Sequence, residues 1–181
     1  MPEPIKSYWQ VLEPIFSAID LLNEAEFLSS TAKMQRSVVI LYAAHFCLSE
    51  IHNGGLLQFF WNTTGIVAPE AIEGFNAIGM QGLASILEAA TDALGSPFPR
   101  DRDDRWDALL VASGRTEEEL ERIFGEASNF YLAFEEATAS LSFATLNEKI
   151  WSLAKSENGG FQVAATRYAR DFCLHPEAPV S

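Results

Sequence analysis

An all-α fold is what this sequence predicts, on three observations. Apolar residues recur at steps of three and four over almost the whole length, as helices with one buried face require. No run alternates with period two, as a half-exposed strand would. The interruptions are helix punctuation, with prolines at first turns and glycines or asparagines at ends. At 181 residues, 48% hydrophobic, with 13 Phe and 4 Trp, the chain can bury a core without disulfides or metals and is too apolar for disorder. The expectation is a single compact domain of about seven or eight helices over residues 1–174, with a flexible tail over 175–181.

The elements follow in order. Tyr8, Leu12, Ile15, Ile19 and Leu22 mark the buried face of a first helical segment, which Pro14 kinks or restarts. A second helix is expected from Ser30 or Thr31 to His52. Val38, Leu41, Tyr42, Phe46, Leu48 and Ile51 cover so much of its circumference that it belongs at the centre. Pro69 suits the first turn of the next helix, and Gly79 breaks the chain before a segment from Met80 to Leu94. Ser96-Pro97-Phe98-Pro99 reads as a loop, followed by a short helix from Asp104 to Ala112 that Gly114 closes. Thr116 with Glu119, and Thr145 with Glu148, have capping-box spacing. The first pair opens a long helix with Leu120, Phe124, Ala127, Tyr131 and Phe134 on its core face. The second opens a helix that ends at Asn158-Gly159-Gly160, and Phe161 to Phe172 form the last.

The segment Glu50 to Gly65 is the most closely specified. Asn53-Gly54-Gly55 stops a helix that restarts at once, and either glycine or Asn53 can take the positive φ needed there, or Asn53 can cap the restart. Gln58 and Asn62 then fall on one face, with Phe59, Phe60 and Trp61 filling the other directions. Buried amides need partners, so Glu50, Asn53, Gln58 and Asn62 are expected to bond across the junction. Two readings stand: a buried polar network fixing a helix corner, or a pocket that recognises a ligand through the same amides. Asn-Gly-Gly recurs at Asn158, read as the same helix-stopping device used twice.

Glu50, Asn53-Gly54-Gly55, Gln58-Phe59-Phe60, Asn62 and Thr63-Thr64-Gly65 resemble the signature of a bacterial domain-of-unknown-function family that includes an acidic DNA-mimic protein of Neisseria. Ala77-Ile78-Gly79 and, more loosely, Phe130-Tyr131 also fit, and Leu56 departs from the usual Phe. The resemblance spans about residues 35–150. It implies an all-α fold, no established enzymatic activity and, in the mimic member, a dimer that occupies a regulator's DNA-binding surface. The signature reads as core, so the resemblance carries fold, and mimicry must be argued from this chain's own acids.

The net charge is −13, with 25 acidic and 12 basic residues. That balance disfavours direct binding to nucleic acid or anionic membrane and favours a basic protein partner. B-DNA carries one phosphate charge per about 3.4 Å of each strand. Acids three or four residues apart on a helix lie about 4.5–6 Å apart along its axis, close enough to imitate such a row. Glu117, Glu118, Glu119, Glu121 and Glu126 offer this pattern, and Glu135 and Glu136 continue it. Glu13, Asp20, Glu24 and Glu26 on the first segment form a second candidate. The same early acids also complement a helix dipole. The run from Arg100 to Arg105 alternates in sign and reads as a salt-bridged turn.

No reaction centre is legible. His45 and His52, seven apart on one helix, are about 10 Å apart and cannot share an ion, so no metal or cofactor is expected. Cys47 and Cys173 sit in apolar patterns, as buried free thiols do. No basic-then-apolar leader and no apolar run of about 18 residues is present, so the expected location is the cytoplasm. The leading function is a non-catalytic interaction module whose acidic helical faces engage a basic partner, either a DNA-binding protein met as by a DNA mimic or a partner bound through an acidic surface of another kind. The alternative is a small-molecule-binding or enzymatic domain with its pocket at the Glu50–Asn62 corner. A homodimer is implied by the resemblance only, since no heptad seam is present.

Overall fold

The computed structural model describes residues 5–173; the expected tail lies outside them. Among the described residues there are ten α-helices and no strand, so the all-α class holds with more and shorter elements than expected. The first four are α1 (Trp9–Leu12), α2 (Glu24–Thr31), the central α3 (Arg36–Trp61) and, after a 3-10 turn over Thr63–Val67, α4 (Ala68–Ala77). Then come α5 (Gln81–Asp92), α6 (Arg102–Ala112), α7 (Glu117–Glu126), α8 (Phe130–Thr138), α9 (Phe143–Ser156) and α10 (Phe161–Phe172).

The first segment is not one helix. α1 passes into a 3-10 turn at Glu13–Ile15, which contains Pro14, and helix resumes only at Glu24, where the Asn23 side chain accepts from the Glu26 N–H. Ser30 and Thr31 therefore end α2 instead of starting α3. Both hydroxyls turn back onto the Phe27 carbonyl.

α3 is central, as its all-round apolarity requires. It contacts α1, α4, α6, α9 and α10, with fourteen buried residues along its length. One core cluster draws on residues from Ile5 to Cys173, and a satellite of Ile123, Ala133 and Ala137 joins α7 to α8.

The long helix expected from Thr116 is two. The Thr116–Glu119 capping box forms as read, but α7 stops at Glu126 with Ala127 extended and exposed. Asn129 caps α8 by accepting from the Leu132 N–H. The Thr145–Glu148 box does not form, because α9 already begins at Phe143 behind Ser142, a non-glycine residue at φ 54°.

Candidate functional site

At the corner inside α3, Asn53 stays helical and the two glycines make the break. Gly54 has φ −155° and ψ 15°, and Gly55 has φ 80°, a region costly for any residue with a Cβ. The restarting helix is capped from α9, where Asn147 Oδ1 accepts from the Leu56 N–H at 2.9 Å. Asn53 thus provides neither the positive φ nor the cap, and it lies exposed. The second Asn-Gly-Gly works differently: Asn158 itself is left-handed (φ 52°) and donates from Nδ2 to the Ile78 carbonyl at 2.7 Å.

Across the corner, one carboxylate oxygen gathers the amides. Glu50 Oε2 accepts from Gln58 Nε2 and Asn62 Nδ2, each at 2.9 Å. Three of the four polar residues expected to join do so, with both amides donating to Glu50. Asn53 instead lines a cavity on a neighbouring stripe of α3.

The end of α3 is closed by two residues that sequence reasoning placed on the surface or passed over. Arg105, fully buried on α6, donates from Nε to the Phe60 carbonyl at 2.9 Å and from Nη2 to the Asn62 carbonyl at 2.8 Å. Its Nη1 bonds the carbonyl of Arg100 at 2.6 Å. Trp106 donates from Nε1 to the Trp61 carbonyl at 3.0 Å and stacks on the Trp61 ring at 4.2 Å. The Phe60 and Trp61 carbonyls are among the last of α3, which a helix leaves without intrahelical donors. A Cβ on Gly65 would lie 2.8 Å from Arg105 Nε and 2.7 Å from the Phe59 carbonyl oxygen, so this signature glycine admits the guanidinium. Phe59 and Phe60 are fully buried, as the signature's core character implies. Burial lowers the Arg105 pKa to about 10, against the favourable field of Asp101, so it stays charged at neutral pH.

The run from Arg100 to Arg105 is therefore a helix start and not a salt-bridged turn. Asp101 caps α6 by accepting from the Asp103 N–H. Arg100 grips the buried Glu70 of α4 with two bonds, at 2.9 and 3.0 Å, and reaches Glu24 at 3.2 Å. Only Arg102 and Asp103 pair within the run.

The acids divide by employment. Glu119 accepts from the Thr116 N–H at 2.9 Å and faces Arg115 at 3.4 Å, contacts that hold its carboxyl below the ordinary pKa. Glu126 lies 3.8 Å from Arg122. Glu117, Glu118 and Glu121 are exposed, with no cation at ion-pair distance among the described residues. Asp104 and Asp107 on α6 and Glu135 on α8 are likewise exposed and unpaired there. The second candidate row is not brought together: Glu13 is in a 3-10 turn, Asp20 accepts from the Leu22 N–H in a loop, and Glu24 turns to Arg100.

Cys47 and Cys173 are buried free thiols, each with its pKa raised by burial. Among the described residues no three His, Cys, Asp or Glu side chains are grouped to hold a metal ion. No helix there is long and apolar enough to cross a membrane.

No curated protein and no solved structure matches the chain. A family model, that of the DMP19-like proteins, matches residues 32–171, from just after α2 to the penultimate residue of α10. The match extends beyond the stretch that the signature alone suggested and takes in the Glu50–Gly65 corner, the Arg105 anchor and the acidic α7. This is the family of the Neisseria DNA mimic that the signature resembles, and the chain belongs to it as a DMP19-like protein.

Proposed function

We propose that this chain is a non-catalytic interaction module whose acidic helical surface engages a basic, DNA-binding protein as a DNA mimic. The observation that carries the proposal is the set of exposed carboxylates, unpaired among the described residues, on three consecutive helices: Asp104 and Asp107 on α6, Glu117, Glu118 and Glu121 on α7, and Glu135 on α8. Contacts of α8 with both α6 and α7 hold these helices together. Glu117 and Glu121 are one turn apart, about 6 Å along the axis, wider than the about 3.4 Å axial step of phosphates on one strand but close enough to present a row of like charge. Membership of a DNA mimic-like family supports the same reading. So does the net charge of −13, which repels nucleic acid and attracts a cationic surface.

The test is capture of partners from the source bacterium on the immobilised protein, eluted with rising salt and, separately, with duplex DNA. A basic DNA-binding protein should be retained at about 0.1 M salt, lost by about 0.5 M, and displaced by DNA. Retention indifferent to both salt and DNA would refute mimicry. Sedimentation of the captured complex reads whether the binding unit is the homodimer that the family resemblance implies.

A further inference from the structure

A cleft of about 390 Å³ opens among α3, α9, α10 and Tyr8 just ahead of α1, away from the acidic helices, and its lining is chemically biased. Leu48, Ala154, Phe161 and the Tyr8 ring give apolar walls. His45, Ser49, His52, Asn53, Lys155 and Gln162 give polar groups. None of the ten is acidic, although the chain has 25 acids against 12 lysines and arginines. The two acids nearest in sequence are committed elsewhere: Glu50 to Gln58 and Asn62, and Glu157 to the Gly82 and Leu83 N–H groups at 2.8 and 3.3 Å. Lys155 has no carboxylate at ion-pair distance among the described residues.

The rings that border the cleft are fixed in advance. His52 Nδ1 donates to the Leu48 carbonyl at 2.8 Å, which leaves Nε2 as its free atom. His45 Nδ1 shares a hydrogen bond of 3.1 Å with the Tyr8 hydroxyl, and its ring is flanked by Trp9 and Phe46. Preset walls cost little to organise on binding. The volume is that of a small-molecule site, in which apolar walls and a few converging polar groups are the usual arrangement.

We propose that this cleft binds a small organic anion, a carboxylate carrying an apolar group. Lys155 supplies the counter-charge, Ser49, Asn53 and Gln162 supply hydrogen-bond donors, and Leu48, Ala154 and Phe161 receive the apolar part. No residue of α6, α7 or α8 contributes, so the site stands independently of the acidic surface.

The experiment is a titration of the full chain followed by nuclear magnetic resonance of the histidine rings. The probes are phenylacetate and hexanoate, with phenylacetamide and hexanamide as neutral counterparts. Both carboxylates should shift the His45 and His52 signals saturably, and the amides should bind at least about tenfold more weakly for want of the charge. Lys155→Gln should weaken carboxylate binding about fivefold or more, whereas Lys149→Gln, on α9 outside the cleft, should leave it unchanged. The proposal is overturned by no saturable shift up to roughly 10 mM carboxylate. Amides that bind as well as acids overturn it too, as does a Lys149→Gln effect equal to that of Lys155→Gln.

Discussion

Arg105 lies against Gly65 so closely that a methyl group on that glycine would stand 2.8 Å from the guanidinium Nε. The contact explains why the signature ends in glycine: the cation must reach the last carbonyls of α3. Gly65→Ala should displace Arg105 and cost about 2–4 kcal/mol, and Arg105→Met, which strands several buried carbonyls, about 3–5 kcal/mol. The double variant should lose far less than the sum, because both changes break one contact. Urea unfolding of the three variants measures this. Full additivity would separate the two residues.

Among the described residues, Glu50 is the one acceptor for the side-chain N–H groups of Gln58 and Asn62 at the corner. Glu50→Gln keeps the shape but removes the charge and can turn an amide against an amide. It should destabilise by about 1–3 kcal/mol, and Glu50→Ala by at least as much, since two partly buried donors lose their acceptor. Asn53→Ala, at an exposed helical position, should change stability by less than about 0.5 kcal/mol. Equal losses at Asn53 and Glu50 in thermal unfolding would put Asn53 in the network after all.

What could be read from the sequence is instructive residue by residue. The break at Gly54-Gly55 was legible because only glycine takes φ 80° without strain, and the Gln58–Asn62 pairing because four residues return a helix to the same face. Arg105 was hidden by its neighbours, for alternating charges look solvated. The available signal was its place one turn before the buried Leu109, on the apolar stripe of α6. The break between α7 and α8 was signalled by Ser128-Asn129 ahead of Phe130, an N-cap pattern outvoted by apolar periodicity running through it. Partners from distant sequence, such as Asn147 capping the Leu56 N–H, leave no local trace at all.

His45 ties α3 to the N-terminal segment through Tyr8, and burial lowers its pKa below 6.5. The folded state therefore resists a proton that the unfolded chain accepts. The stability contribution is intact above about pH 6.5, declines as pH falls from there towards the lowered pKa, and levels off below it. Urea midpoints between roughly pH 5 and pH 7.5 should fall on acidification, and the decline should be smaller in His45→Gln, which carries no titrating ring. An identical pH slope in the two proteins would place the titration elsewhere.

The carboxylates of α7 separate two roles by position, and charge reversal exploits the separation. Glu119 closes the capping box, so Glu119→Lys should cost about 1–2 kcal/mol through the lost cap. Glu117, Glu118 and Glu121 bond nothing among the described residues, and their reversal to lysine forfeits mainly the favourable helix-dipole interaction, about 0.3–1 kcal/mol for each acid in the first turn. The triple variant should stay folded by circular dichroism yet lose most salt-sensitive partner binding, since six units of charge change on one helical surface. Glu119→Ala, by contrast, should lose stability through the opened capping box with little change in binding. If the triple variant binds as before, α7 is not the surface that meets the partner, and Asp104, Asp107 and Glu135 become the next positions to reverse.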